Sequence, residues 1–123
     1  MKIYISCDSK KLIKKNYKKL FDKNMAIIDV PMIASLIKHS DYNGDICADY
    51  VLTQEIETKL KNIYESKRFN KILYLIDNTI TDGFVSVFRK YVEERGIFFT
   101  EYTLIDFSQQ INSKIYKYFD YIM

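Results

Sequence analysis

Four aspartates stand where apolar runs give way to polar sequence: Asp8 after KIYIS, Asp29 in MAIIDV, Asp77 after KILYLI and Asp106 after EYTLI. In an open α/β sheet the ligand crevice lies beyond the carboxyl ends of the strands, so carboxylates at these positions line one edge. Such oxygens suit a hydrated Mg²⁺ or a general base. Asp77 has the most polar surroundings, followed by Asn78, Thr79 and Thr81. The competing expectation is an aspartate that only caps the next helix, its carboxylate accepting the open N–H groups of the first turn. Asp29, Asp77, Asn78 and Thr79 form the candidate ligand-binding set. No residue is assigned a catalytic role, and no metal-ligand set or cofactor is expected.

A second constellation is basic. Lys10, Lys11, Lys14, Lys15, Lys18 and Lys19 recur in DSKKLIKKNYKKLFDK, read as a helix from Asp8 to about Lys23 and capped by Asp8 or Ser9. At about 100° per residue, Leu12, Ile13, Tyr17, Leu20 and Phe21 gather on one side and the lysines on the other. Residues 1–38 hold nine Lys against Asp8, Asp22 and Asp29, so a local balance of +6 underlies the overall +3. Such a face suits phosphates of a nucleic acid, with Tyr4, Tyr17, Tyr42 and Tyr50 as candidates to stack on bases. It also suits an acidic protein or a membrane surface, and a lysine-rich helix face is more often just solvated.

Other chemistries find little here. Cys7 and Cys47 with the single His39 make neither a disulfide framework nor a zinc pattern. Cys7 reads as a small, buried strand residue, and a nucleophile role for it requires His39 nearby. His39, Ser40 and Asp41 are adjacent in sequence, but a triad is a matter of geometry. GxGxxG is absent, which argues against a dinucleotide site.

The elements that must position these residues read clearly. Strands are expected at 2–6, 25–30, 71–77 and 97–107. Helices are expected at 8–23, at 31–39 with Pro31 in the first turn, at 53–67, at 82–95 and from Ser108 onward. Residues 39–50, with Asn43-Gly44 and three aspartates, read as an exposed loop. The helix at 82–95 is expected to bury Phe84, Val87, Phe88, Tyr91 and Val92, and to end in a Gly96 cap. The last helix is expected to bury Ile111, Ile115, Tyr118, Phe119 and Ile122, with Tyr116 or Tyr121 left for an interface. At 123 residues this is one α/β domain over 1–123, three-layered and Rossmann-like or degenerate P-loop-like, with a mainly parallel sheet of about four strands.

With 48% hydrophobic and 28% charged residues and no long apolar run, the expectation is a soluble, cytoplasmic protein. Three Gly, one Pro and no Trp, with 11 Tyr and abundant Lys, fit the coding bias of an AT-rich genome such as a phage or low-GC bacterium has.

The stretch LIDNTITDGFVSVFRKYVEERGIFFTEYTLID resembles the second half of polynucleotide-kinase-like P-loop kinases, where a buried strand runs into a DNTN-type turn, a helix and another strand. Asp77, Asn78 and Thr79 carry the match, and Asp106 has a similar place. The resemblance implies a related fold, and implies that Asp29 occupies the place of the acidic residue that meets an acceptor hydroxyl. Such kinases also need G-x-x-x-x-G-K-[ST] after the first strand. ISCDSKKLIKK stands there instead, and no arginine-rich lid is evident.

The leading expectation is therefore a non-enzymatic protein that binds a macromolecular partner, or its own copies, through the basic helix or a tyrosine-rich surface. One alternative is an enzyme or sensor that takes a nucleotide or other phosphorylated ligand at the strand ends. The other is a nucleic-acid-binding module.

Overall fold

The computed structural model describes residues 1–38, 45–77 and 80–123, the side chains of 38 and 45–49 excepted. β1 (Lys2–Ser6), β2 (Met25–Asp29), β3 (Lys71–Leu75), β4 (Glu101–Ile105) and β5 (Tyr121–Ile122) form one sheet in the order β2-β3-β1-β4-β5. Every pairing is parallel, and Ile3 of β1 faces Ile72 on one side and Tyr102 on the other. An all-parallel sheet must be covered on both faces, which explains why the central strands are apolar almost without interruption.

The step from β1 to β2 runs one way along the sheet, and the three later steps run the other way. A single crossover hand then sends the first connection to one face and the rest to the opposite face. The packing follows that rule. Ile3, Ile5, Ile28, Ile72 and Leu104 lie under α2 (Val30–Lys38), α3 (Asp45–Ser66) and α4 (Asp82–Glu94), through Ile33, Leu60, Val85, Phe88 and Val92. On the other face Leu73, Leu75 and Ile105 meet Ile13 of α1 (Lys10–Asn16) and Leu20 of a short 3₁₀ turn (Lys18–Leu20). The chain is thus a three-layer α/β protein with one thin layer.

Several local expectations need correction. The sheet has five strands, and the pairing of β4 is confined to Glu101–Ile105. The first helix stops at Tyr17, whose φ of −146° and ψ of 72° leave the helical region. Just before it, the Asn16 side chain donates to the Leu12 carbonyl at 2.9 Å and competes with helix continuation. Residues 45–50, read as loop, open α3 instead. Val87 is 67% exposed, because α4 buries the stripe Val85, Phe88 and Val92.

The C-terminal helix does not form. Residues 113–118 make a 3₁₀ helix, and Tyr121–Ile122 add to the sheet with Ile122 exposed. Sheet bonding wins over helical spacing: Met123 N–H donates to Leu104 O at 2.8 Å, and Asp106 N–H donates to Met123 O at 2.9 Å. The Asp120 carboxylate also accepts Tyr102 N–H at 2.8 Å.

The Gly96 cap is present as expected, at φ +76°. Gly96 N–H reaches Glu93 O, and Ile97 N–H reaches Val92 O, closing α4 with paired reverse-turn bonds. Among the described residues, no helix is long and apolar enough to cross a membrane.

Candidate functional site

The sheet order sets the strand-end aspartates along one edge as Asp29, Asp77, Asp8 and Asp106. They serve different ends. The chain leaves β1 toward one face and leaves β3 and β4 toward the other, so the crevice expected to take a ligand opens beside Asp8. The carboxylates beside it are satisfied from within. Asp8 Oδ2 accepts Phe107 N–H at 2.7 Å, and Asp8 Oδ1 accepts the Ser108 hydroxyl. Asp106 Oδ1 accepts Gln110 N–H at 3.0 Å, while its Oδ2 takes Ile111 N–H at 3.2 Å and the Tyr116 hydroxyl at 2.9 Å. Both carboxylates are buried. Ser6 completes the closure: its buried hydroxyl donates to Ile105 O at 2.7 Å and accepts Asp8 N–H at 3.0 Å.

These bonds turn the loop after β4 back over the end of β1. Buried carboxylates must be compensated, and here backbone N–H groups and hydroxyls do it. The hydrogen bond to Asp106 raises the pKa of the Tyr116 hydroxyl. Cys7, half-buried beside this cluster, has its thiol pushed up by burial and then by Asp8 and Asp106. A nucleophile needs the thiolate, which this setting disfavours.

The remaining candidates lie toward the β2 side. Asp29 Oδ1 accepts Met32 N–H at 3.1 Å, a capping bond at the start of α2. Asp77 is exposed and accepts no hydrogen bond from a described residue. Asn78 and Thr79 lie outside the described residues, as do His39, Ser40, Asp41 and Tyr42. Thr81 caps α4, its side chain accepting Phe84 N–H at 3.2 Å. Among the described residues, no three His, Cys, Asp or Glu side chains gather to hold a metal ion.

The lysine face has a different character. Lys10, Lys11, Lys14, Lys15, Lys18 and Lys19 are all exposed. The four ion pairs among the described residues involve none of them. Lys14 Nζ lies 5.9 Å from the centre of the Phe21 ring. Ile13 anchors α1 on the sheet and Leu20 anchors the turn after it, so the break at Tyr17 divides the lysines between two short pieces on one scaffold.

Two of the expected stacking residues are not free. Tyr4 and Tyr17 are half-buried in the cluster beneath α1, and burial raises the pKa of Tyr4. Tyr50 is exposed. At the C-terminus Tyr116 is committed to Asp106 and Tyr118 packs against the core, leaving Tyr121 exposed.

Two features escaped sequence reasoning. Glu57 of α3 accepts the Tyr91 hydroxyl and Arg95 Nε, both at 2.8 Å, tying α3 to the end of α4. The Tyr102 hydroxyl is buried without a hydrogen-bond partner among the described residues. The 34 positions between Glu57 and Tyr91 leave no local signal, and an apolar strand does not show whether its tyrosine finds a partner.

A scan against protein-family models finds no match, and neither a search of curated proteins nor one of solved structures finds any.

Proposed function

We propose that this chain is a binding protein rather than a catalyst, and that it engages an anionic macromolecule through the lysines of α1 and the turn after it. The observation that carries the reading is six exposed lysines without an ion pair among the described residues, held by a core on their inner side. Lysine offers a compact point charge and no bidentate fork, so the contact is to a line of phosphates rather than to particular base edges. The burial of Tyr4 and Tyr17 supports the same reading, since neither ring is free to stack.

The test is fluorescence anisotropy with labelled single- and double-stranded oligonucleotides over a salt series. Binding is expected to weaken steeply with salt and to vary little with sequence. Lys14→Glu/Lys15→Glu/Lys18→Glu is expected to abolish it while leaving the thermal melt in place. Oligonucleotide binding that survives the triple reversal, or its absence at low salt, removes this reading.

A second reading has one observation in its favour. Asp77, exposed and unengaged by described residues, stands at the end of β3 next to β2, which ends in Asp29, where a phosphorylated small ligand would bind. The P-loop-kinase resemblance of residues 71–106 supports this reading, with lysines of α1 supplying charge. A rise in melting temperature with millimolar Mg-ATP, lost in Asp77→Ala, is its expected signature.

A further inference from the structure

Between α3 and α4, on the sheet face opposite the lysines, lies a pocket of about 310 Å³. Leu60, Tyr74 and Phe88 are its buried members, and Val87 stands exposed at its mouth. Phe84 and Tyr91 add two more rings, and none of the described lining side chains is charged. The Phe88 ring lies 5.0 Å from that of Tyr74 and stacks on Phe84 at 5.6 Å. Tyr91 is held from outside, with Glu57 on its hydroxyl and the Arg95 guanidinium 3.5 Å from its ring centre. Tyr74 breaks the apolar pattern. It is 5% exposed, yet its hydroxyl makes no hydrogen bond to a described residue, although a buried tyrosine hydroxyl usually finds a partner. Burial, and then the neighbouring Tyr91 hydroxyl on the same pocket wall, push its pKa up, so at neutral pH it remains a donor.

We propose that this pocket binds a small, neutral, flat aromatic molecule of two fused rings, carrying a hydrogen-bond acceptor for the Tyr74 hydroxyl. Each property follows from the lining. An apolar cavity of about 150 Å³ takes benzene, so one of twice that volume has room for two rings. Without a charged side chain in the wall, a buried ionic ligand has nothing to offset its lost hydration. Phe84 and Phe88 offer ring faces and edges, which favour an aromatic guest in offset or edge-on contact. The Tyr74 hydroxyl supplies the one placed polar group that fixes orientation in such sites. Its missing partner is then the ligand's acceptor. The pocket and the lysine face lie on opposite sides of the sheet, so this inference is independent of the polyanion reading.

Quinoline is the probe: it is neutral at neutral pH and has one ring nitrogen as acceptor. Naphthalene, the same shape without the acceptor, is its control. Each is titrated into the methyl-labelled full chain and followed by NMR. Quinoline is expected to give saturable shifts at the methyls of Ile56, Leu60 and Val87, with Kd near or below about 1 mM. Ile13 and Leu20, across the sheet, should stay fixed. Tyr74→Phe keeps the ring and removes the hydroxyl. It is expected to weaken quinoline by about fivefold and to leave naphthalene bound no more weakly, while the same spectra show the fold retained. Quinoline that gives no saturable shift at these three residues by about 5 mM overturns the proposal. So does a Tyr74→Phe chain that holds quinoline as tightly as the original, or one that loses both compounds to the same degree.

Discussion

The carboxylate of Asp8 and the backbone N–H of Phe107 meet at 2.7 Å across 99 residues of chain. This bond and its neighbours at Ser108 and Asp106 fasten the loop after β4 over the end of β1. Asp8→Ala leaves two donors without their acceptor and is expected to cost about 2 to 4 kcal/mol, as charged hydrogen bonds in partly buried settings do. Asp106→Ala should fall in the same range. Asp77→Ala, at an exposed position, is expected to stay within about 0.5 kcal/mol. Urea unfolding of the three variants checks the ranking, and equal effects at Asp8 and Asp77 would refute the structural role given to Asp8.

Tyr102 lies in β4 at 2% exposure, its ring edge-on to Phe99 and 4.8 Å from the Arg89 guanidinium. Its hydroxyl, unpartnered among the described residues, has its pKa pushed up to about 12, chiefly by burial. Tyr102→Phe removes the hydroxyl and keeps the ring, so stability is expected to rise by about 1 kcal/mol. The pH sign follows from the shift. The unfolded chain ionises near 10 and the folded one near 12, so the tyrosine's contribution is full below pH 10 and is lost as pH rises toward 12. Urea midpoints at increasing alkaline pH should therefore fall less steeply for Tyr102→Phe; equal slopes would sink the assignment.

Glu57 behaves in the opposite sense. The Tyr91 hydroxyl and then Arg95 hold its carboxyl below its ordinary value of 4.5. Its contribution is present above that value and is lost as pH falls through the lower folded value. Glu57→Gln should flatten the acid limb of the melting-temperature profile. An identical acid limb would show that the tie between α3 and α4 adds nothing to stability.

The strands were legible because a parallel sheet demands apolar residues on both faces, and KIYIS, MAIID and KILYL supply them. The C-terminal segment misled for a definable reason. Ile111, Ile115, Tyr118 and Phe119 have helical spacing, but Asp106 draws the N–H groups of Gln110 and Ile111, and β4 pairs with Tyr121 and Ile122. Both are tertiary facts with no local mark. The basic face was readable from lysine spacing, although the break at Tyr17 was not, since a 3₁₀ turn preserves much of the same pattern. The aspartate row shows the limit best. Residue type and strand end predicted the positions of Asp8, Asp29, Asp77 and Asp106, while the loop partners that determine their roles lie far away in sequence.

β1 precedes every other strand in the chain, yet it occupies the centre of the sheet. Its two neighbours, β3 and β4, begin at Lys71 and Glu101. During synthesis this segment therefore cannot find its native partners until much of the chain has left the ribosome. Ile3 and Ile5 must wait, uncovered, for strands that arrive later. Such long-range pairing slows folding and lengthens exposure to aggregation. Chaperone demand should accordingly be concentrated on the nascent β1 segment.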